Sequence, residues 1–150
     1  MPIPFKALTI AAVALLGAQS VAAADLTPVG RWYTIDEQTG QQTSIIEITQ
    51  TGDVLSGRIV KVMPKPGDPA NPICDKCDGP EKNQPYLGMT ILKGFKHDGD
   101  EWNGGTILDP RSGNVYSSEF HLDDTGKKLF VRGYMGISLL GKTTTWVRAE

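Results

Sequence analysis

The stretch from Glu101 to Leu122, EWNGGTILDPRSGNVYSSEFHL, constrains the fold more than any other part of the chain, because it specifies a β-hairpin. Asp109-Pro110 favours the start of a tight turn, since proline fixes φ at the first central position, and Gly113-Asn114 tolerates the positive φ that closes the turn. Similar apolar-alternating runs, each ended by Gly, Asn or Asp, precede and follow this hairpin. The chain is therefore predicted to be a β-meander.

Residues 1–24 are predicted to be a signal peptide rather than part of the fold. Lys6 supplies a positive charge, the uncharged run from Ala7 to Gly17 has the length of a signal-peptide core, and Ala22-Ala23-Ala24 offers a small-residue cleavage site. This run is shorter than the ~20 residues that span a bilayer, and no second span follows. We expect a periplasmic or secreted protein whose residues 25–150 form one domain.

Composition favours an all-β fold and argues against nucleic acid as a partner. The chain contains 17 glycines and 10 prolines, and both residue types cluster between the apolar runs, where turns need them. The formal net charge is −2, and there is no run of basic residues that would attract a phosphate backbone.

Eight strands are predicted, and a helical period of 3.6 residues appears nowhere over a useful length. Eight antiparallel strands with short connections can close as an up-and-down barrel, which removes exposed sheet edges. A sandwich of seven or eight strands is the alternative, but the meander order favours the barrel. The predicted strands are Gly30 to Thr34, Thr43 to Gln50, Val54 to Val62, Met89 to Phe95, Glu101 to Leu108, Val115 to Leu122, Lys128 to Met135 and Thr143 to Arg148.

Two ends of the chain carry a resemblance to known barrels. Gly30-Arg31-Trp32 resembles the Gly-X-Trp motif of lipocalins and their calycin relatives, and Arg148 stands where those folds place an arginine across that tryptophan. The resemblance implies that Trp32 and Arg148 latch the first strand to the last through a cation–π contact worth roughly 0.5–2 kcal/mol.

A longer string of motifs resembles the bacterial domain-of-unknown-function family 2147. This resemblance implies an exported, lipocalin-like barrel, and it implies no reaction, cofactor, metal or catalytic residue. The motifs are Gly30-X-Trp32, Gly57-X-Ile59-Val60, Cys74-X-X-Cys77, Trp102-X-Gly104-Gly105-X-Ile107-Leu108-Asp109-Pro110, Gly113-X-X-Tyr116, Arg132-Gly133-Tyr134-X-Gly136 and Trp146-X-Arg148.

One long irregular segment, Met63 to Leu87, interrupts the meander and contains six prolines and both cysteines. Its length suggests either a lid over one barrel end or an ordered loop that plugs it. In an oxidising compartment Cys74 and Cys77 are expected to form a disulfide. A thiol-redox pair and a zinc site are the alternatives, although the segment is acidic and irregular, and His97 and His121 are the only histidines.

No catalytic constellation is recognisable, so a binding function is favoured over an enzymatic one. Asp109 is expected to cap its turn, although a ligating role stays open. Strand alternation allows a pocket with apolar walls and one cation, which would hold a small lipid-like or aromatic ligand; the expected contact residues are Trp32, Tyr116, Phe130, Arg132 and Tyr134. The alternatives are a filled core in which Arg132 pairs internally, a redox role for Cys74 and Cys77, and a structural partner of other envelope proteins.

Overall fold

The computed structural model describes residues 26–149, together with Pro2, Pro4 and Gly17. Apart from these three positions, the predicted signal peptide lies outside the described residues. The strands are β1 (Gly30–Ile35), β2 (Gln42–Thr51), β3 (Val54–Val62), β4 (Thr90–Asp98), β5 (Glu101–Asp109), β6 (Asn114–Leu122), β7 (Lys128–Tyr134) and β8 (Lys142–Ala149). Two short 3-10 helices, Gly79–Glu81 and Ser138–Leu140, lie in the connections.

The eight strands form a closed antiparallel barrel in which each strand pairs with the next along the chain. Strand β1 then pairs with β8 through Arg31–Ala149, Trp32–Arg148 and Tyr33–Val147. The predicted all-β, up-and-down barrel is therefore confirmed, and the sandwich alternative is wrong. Closure leaves no strand edge unpaired, which is the reason a meander of this length is stable as a single sheet.

The barrel has two unlike ends. At the end that we call the lower end, tight turns join β2 to β3, β4 to β5 and β6 to β7, and the segment 26–29 leads into β1. At the upper end lie the connections 36–41, 63–89, 110–113 and 135–141. The long connection is therefore attached to the upper end.

Paired bulges at Gly94 and Gly104 shift which residues face the barrel interior. Their φ angles are 79° and 74°, a region that glycine occupies without strain. Each bulge moves the alternation of side chains by one position, so that Leu92 and Phe95 are both buried inside. Gly105 follows the second bulge. A Cβ at Gly105 would lie 2.5 Å from the Phe95 ring, so the lack of a side chain at this position makes room for that ring.

Among the residues that the structure describes, no helix is long and apolar enough to cross a membrane.

Candidate functional site

The lower half of the barrel interior is filled with aromatic and aliphatic side chains. Trp32, Phe95 and Phe120 are fully buried, and the Phe95 and Phe120 ring centroids are 4.5 Å apart. Trp102 continues this stack 6.0 Å from Phe120. Such offset aromatic packing leaves little space for a ligand.

Arg148 closes the lower end around Trp32. Its guanidinium carbon lies 4.2 Å from the centroid of the Trp32 ring, as the resemblance to lipocalins implies. The same guanidinium donates hydrogen bonds to the carbonyl oxygens of Gly126 (2.8 Å), Val29 (3.1 Å) and Thr27 (2.6 Å). Trp32 in turn donates its indole N–H to the Pro28 carbonyl oxygen at 2.8 Å. These contacts tie the segment before β1 across the base of the barrel.

The upper half of the interior is different, because six of its inward-facing side chains are only partly buried. Inward-facing residues nearer the lower end of the same strands, such as Trp32, Ile46 and Ser118, are fully buried. Their direction follows from the cross-strand register: for example, Ile107 lies opposite the buried Leu92, and Thr144 lies opposite the buried Val131. We call this set the cup; it consists of Thr34, Ser44, Val62, Ile107, Tyr116 and Thr144.

The cup combines apolar walls with hydroxyl groups. The Thr34 hydroxyl lies 2.7 Å from that of Thr43 and 2.6 Å from that of Ser44, so three hydroxyls form one hydrogen-bonded cluster. On the opposite side, the Tyr116 hydroxyl accepts a hydrogen bond from the Asn114 amide at 3.2 Å. Ile107 and Val62 supply the apolar surface. This mixture suits a small ligand with both apolar and polar parts.

Three of the five ligand contacts predicted from the sequence do not face the interior. Phe130, Arg132 and Tyr134 lie opposite His121, Glu119 and Ser117 on the outer wall. Both faces of β7 are partly apolar, so the sequence does not show which face is inside. The prediction was wrong because it placed the face with more aromatic area inside. The interior takes Leu129, Val131 and Gly133 instead; Leu129 and Val131 are buried and lie opposite the buried Trp146 and Phe120.

The other two predicted contacts face inward, but only one is reachable from the cup. Trp32 is fully buried beneath it, whereas Tyr116 lies within it. Arg132 bonds on the outside of the barrel, where Nε donates to the Ser138 carbonyl oxygen at 2.7 Å and Nη1 donates to the Thr143 hydroxyl at 2.8 Å. Alternation alone places Thr34 on the same face as Trp32 and Thr144 on the same face as Trp146, whereas Ile107 lies beyond the bulge at Gly104 and its direction required the structure.

The part of the long connection that contains the disulfide packs against the outer wall. Cys77 and Asp78 lie beside the outward-facing Ile91 and Leu108, where they border a cavity of about 130 Å³. Lys93 on the same wall forms an ion pair with Glu81 at 3.0 Å. The Tyr86 hydroxyl donates to the Pro110 carbonyl oxygen at 3.1 Å, and burial raises the pKa of that hydroxyl. A wider cleft of about 480 Å³ lies between the end of this connection and β4, and its lining runs from Pro80 to Lys93.

Cys74 and Cys77 form a disulfide, as predicted. Both residues are fully buried between the connection and the β5–β6 turn, and the Cys74 sulfur lies 3.2 Å from the Pro110 carbonyl oxygen. Because thiol exchange requires a partner sulfur to approach the disulfide, this burial disfavours the redox alternative.

The predicted turn role of Asp109 is also present. Its carboxylate accepts hydrogen bonds from the Arg111 amide at 3.0 Å and the Ser112 hydroxyl at 2.9 Å. His97 stacks on Trp102 with ring centroids 4.7 Å apart, and His121 packs against Phe130 on the outer wall. Within the described part of the chain, no three His, Cys, Asp or Glu side chains are grouped to hold a metal ion.

A family model described as "Uncharacterized protein conserved in bacteria (DUF2147)" matches residues 30–148, which include all eight strands except the last residue of β8. The chain belongs to the DUF2147 family. The match covers the cup together with Trp32 and Arg148 at the base, whereas the segment 26–29 precedes the matched residues.

A solved structure from a bacterium shows the same fold. Protein HP1028 from the human pathogen Helicobacter pylori, which is described as belonging to the lipocalin family, superposes with a TM-score of 0.70. The sequences are 17% identical, and the alignment covers 83% of this chain and 84% of the Helicobacter protein. No curated protein matches the sequence. The DUF2147 chain therefore has a lipocalin-like fold.

Proposed function

We propose that this DUF2147 protein binds a small amphipathic molecule in the cup at the upper end of the barrel. The observation that carries the proposal is that six inward-facing side chains stay partly accessible above a fully packed lower core. Lipocalin-like barrels of eight strands are wide enough for one small ligand. Because the lower half is filled, the ligand is shorter than one that would occupy a whole barrel.

The chemistry of the cup indicates how the ligand is held. Its apolar part lies against Ile107 and Val62, and its polar part faces the hydroxyls of Thr34, Ser44 and Tyr116. The six cup residues are uncharged, and Lys142, which lies opposite the interior Gly133 at the rim, is paired with Glu37. Neutral or weakly polar groups are therefore favoured over a carboxylate that needs a free cation. This replaces the pocket with a central arginine that the sequence predicted.

We further propose that the protein acts in the periplasm or outside the cell. The N-terminal segment has the charge, apolar core and small-residue site of a signal peptide. A disulfide between the two cysteines also suits an oxidising compartment. Intact mass measurement of the protein exported by a bacterial host would give the cleavage position, and retention of Lys6 would contradict export by cleavage.

Native mass spectrometry of that exported protein tests the binding function directly. A reproducible added mass that disappears on denaturation identifies the ligand class. In parallel, titration with N-phenyl-1-naphthylamine, a neutral amphipathic fluorescent probe, measures whether the cup accepts such a ligand.

A matched pair of tryptophan substitutions locates the binding site. Ile107→Trp fills the cup, and we expect probe affinity to fall by more than about tenfold, because the added ring occupies the ligand's volume. Val147→Trp adds the same ring to the outer wall, where Val147 is exposed, and should leave affinity unchanged. Thr144→Phe is a second cup variant in case Ile107→Trp fails to fold. Equal probe affinity in the folded cup variants and in Val147→Trp would contradict the proposal.

A further inference from the structure

The β7–β8 connection presents four large apolar side chains to solvent. Met135, Ile137, Leu139 and Leu140 are 59%, 57%, 87% and 78% exposed. We call Met135 to Leu140 the apolar tip. A cluster of this kind on one loop is unusual for a protein surface and marks a contact site with another phase or partner.

The apolar tip is held in a defined conformation by hydrogen bonds on its inner side. Residues Ser138–Leu140 form a 3-10 helix, in which the Leu140 amide donates to the Ile137 carbonyl oxygen at 3.1 Å. Arg132 donates to the Ser138 carbonyl oxygen, and the Ser138 hydroxyl donates to Glu119. The polar groups of Ser138 are thus satisfied towards the barrel, and the leucines point away from it.

The charges around the apolar tip match a phospholipid surface. The nine residues from Gly133 to Gly141 are uncharged, Tyr134 stands at the base, and Arg132 and Lys142 flank the segment. Proteins that enter the membrane interface show the same order from the bilayer outwards: apolar residues lie deepest, an aromatic ring follows, and cations lie nearest the water.

Two carboxylates from neighbouring elements contact this hairpin. Glu119 is hydrogen-bonded to Ser138 beneath the tip, and Glu37 forms an ion pair with Lys142 at 2.9 Å. The Lys142–Glu37 pair is well exposed, and exposed pairs exchange readily for other partners. Lys142 can therefore turn to a lipid phosphate without a large loss.

We propose that the apolar tip docks this protein on a phospholipid bilayer, with Leu139 and Leu140 entering the boundary between headgroups and acyl chains. The tip and the cup are at the same end of the barrel, so docking would bring the cup to the lipid surface. The proposal does not require that the cup hold a ligand.

Sedimentation with vesicles tests the docking. The exported protein is mixed with vesicles of equal parts phosphatidylethanolamine and phosphatidylglycerol, and the bound fraction is measured. Leu139→Ser/Leu140→Ser should reduce vesicle binding by about tenfold or more, because it removes most of the apolar area that enters the bilayer. Val147→Ser, an exposed apolar residue far from the tip, is the matched control and should bind as the parent does.

A fluorescent variant reports insertion independently of the amount bound. In Leu139→Trp the added tryptophan should shift to shorter wavelength with vesicles and be quenched by brominated lipids, whereas the tryptophan of Val147→Trp should not. Failure of the parent protein to sediment with these vesicles would overturn the proposal. So would unchanged binding by the double serine variant, or a tip whose only effect is concentration-dependent self-association.

Discussion

Asp36 is the residue that fastens the long connection to the rim of the barrel. Its carboxylate pairs with Lys65 of that connection and accepts hydrogen bonds from the amides of Gln38 (3.0 Å) and Thr39 (2.9 Å). The Lys65 ammonium, followed by the Thr39 amide, holds the pKa of Asp36 well below its usual range. A carboxyl whose pKa falls on folding stabilises the folded state only while it is ionised.

This gives a pH-dependent prediction for Asp36→Asn. Near neutral pH the substitution should lower the melting temperature. The unfolded carboxyl binds its proton near pH 4 but the folded one binds it at lower pH, so the parent loses this stabilisation as the pH falls below about 4. The difference between parent and variant should therefore shrink between pH 7 and pH 2. Asp53→Asn, which removes an exposed carboxylate 3.9 Å from Lys96, is the control. A constant difference across this range would contradict the assignment.

Among the structural elements, the long connection depends on the turn between β5 and β6 for its position. Gly113 in that turn has a φ of 75°, and a Cβ built there would lie 2.0 Å from the Lys76 carbonyl oxygen. The backbone of the connection thus passes directly over this glycine. The disulfide beside it closes only a short loop, so it adds local rigidity and at most about 2 kcal/mol.

Gly113→Ala should therefore release the connection from the outer wall. We expect the free energy of unfolding to fall by about 2 kcal/mol or more, because alanine is strained in the left-handed conformation and its Cβ clashes with the Lys76 backbone. We also expect faster proteolysis within residues 64–88. Gly136→Ala is the matched control, since Gly136 has a φ of 78° but nothing within 4 Å of the added carbon. If the two variants show the same melting temperature and cleavage pattern, the contact with Lys76 does not hold the connection.

At the scale of the whole molecule, the pairing of β1 with β8 is the shortest strand pairing in the barrel. Three residue pairs join these strands, whereas eight pairs join β2 and β3. Arg148 reinforces this short contact through Trp32 and three carbonyl oxygens. Closure of the barrel therefore depends on one side chain more than on the ladder itself.

Arg148→Ala should open that contact. The lost cation–π interaction and charge-assisted hydrogen bonds together suggest about 2–4 kcal/mol lower stability. Amide hydrogen exchange should accelerate in β1 and β8 before it does in β2 and β3. Arg58→Ala, which removes an exposed ion pair with Glu47 on the outer wall, should cost about 1 kcal/mol or less. An unchanged melting temperature for Arg148→Ala would argue against the latch.

Much of the architecture could be predicted from the sequence because turn residues and strand alternation are local signals. The eight strands, the disulfide and the contact between Trp32 and Arg148 follow from such signals or from short motifs. The direction of the Arg132 side chain could not be predicted in this way, because both faces of β7 carry apolar residues. Only the register with Phe120 determines which face lies inside the barrel. The bulges at Gly94 and Gly104 likewise change the alternation through positive φ, which a repeating pattern does not reveal.

The packing of the long connection on the outer wall also required the structure. Its prolines exclude a central strand but do not indicate which surface it covers. That choice depends on Ile91 and Leu108, which are outward-facing yet buried, and on the space that Gly113 leaves for Lys76. Such contacts join parts of the chain that are distant in sequence, so the sequence pattern of a single segment does not predict them.

The pairing of Arg31 with Ala149 has a practical consequence for engineering this DUF2147 barrel. It places the start of β1 and the end of β8 side by side at the lower end, so a short linker could join them and new termini could be opened elsewhere. Circular permutation is tolerated best when the natural ends adjoin in this way. An affinity tag or a surface-immobilisation handle fused next to the start of β1 or the end of β8 would lie at the lower end, away from the cup, which leaves the upper end free for ligand or vesicle experiments.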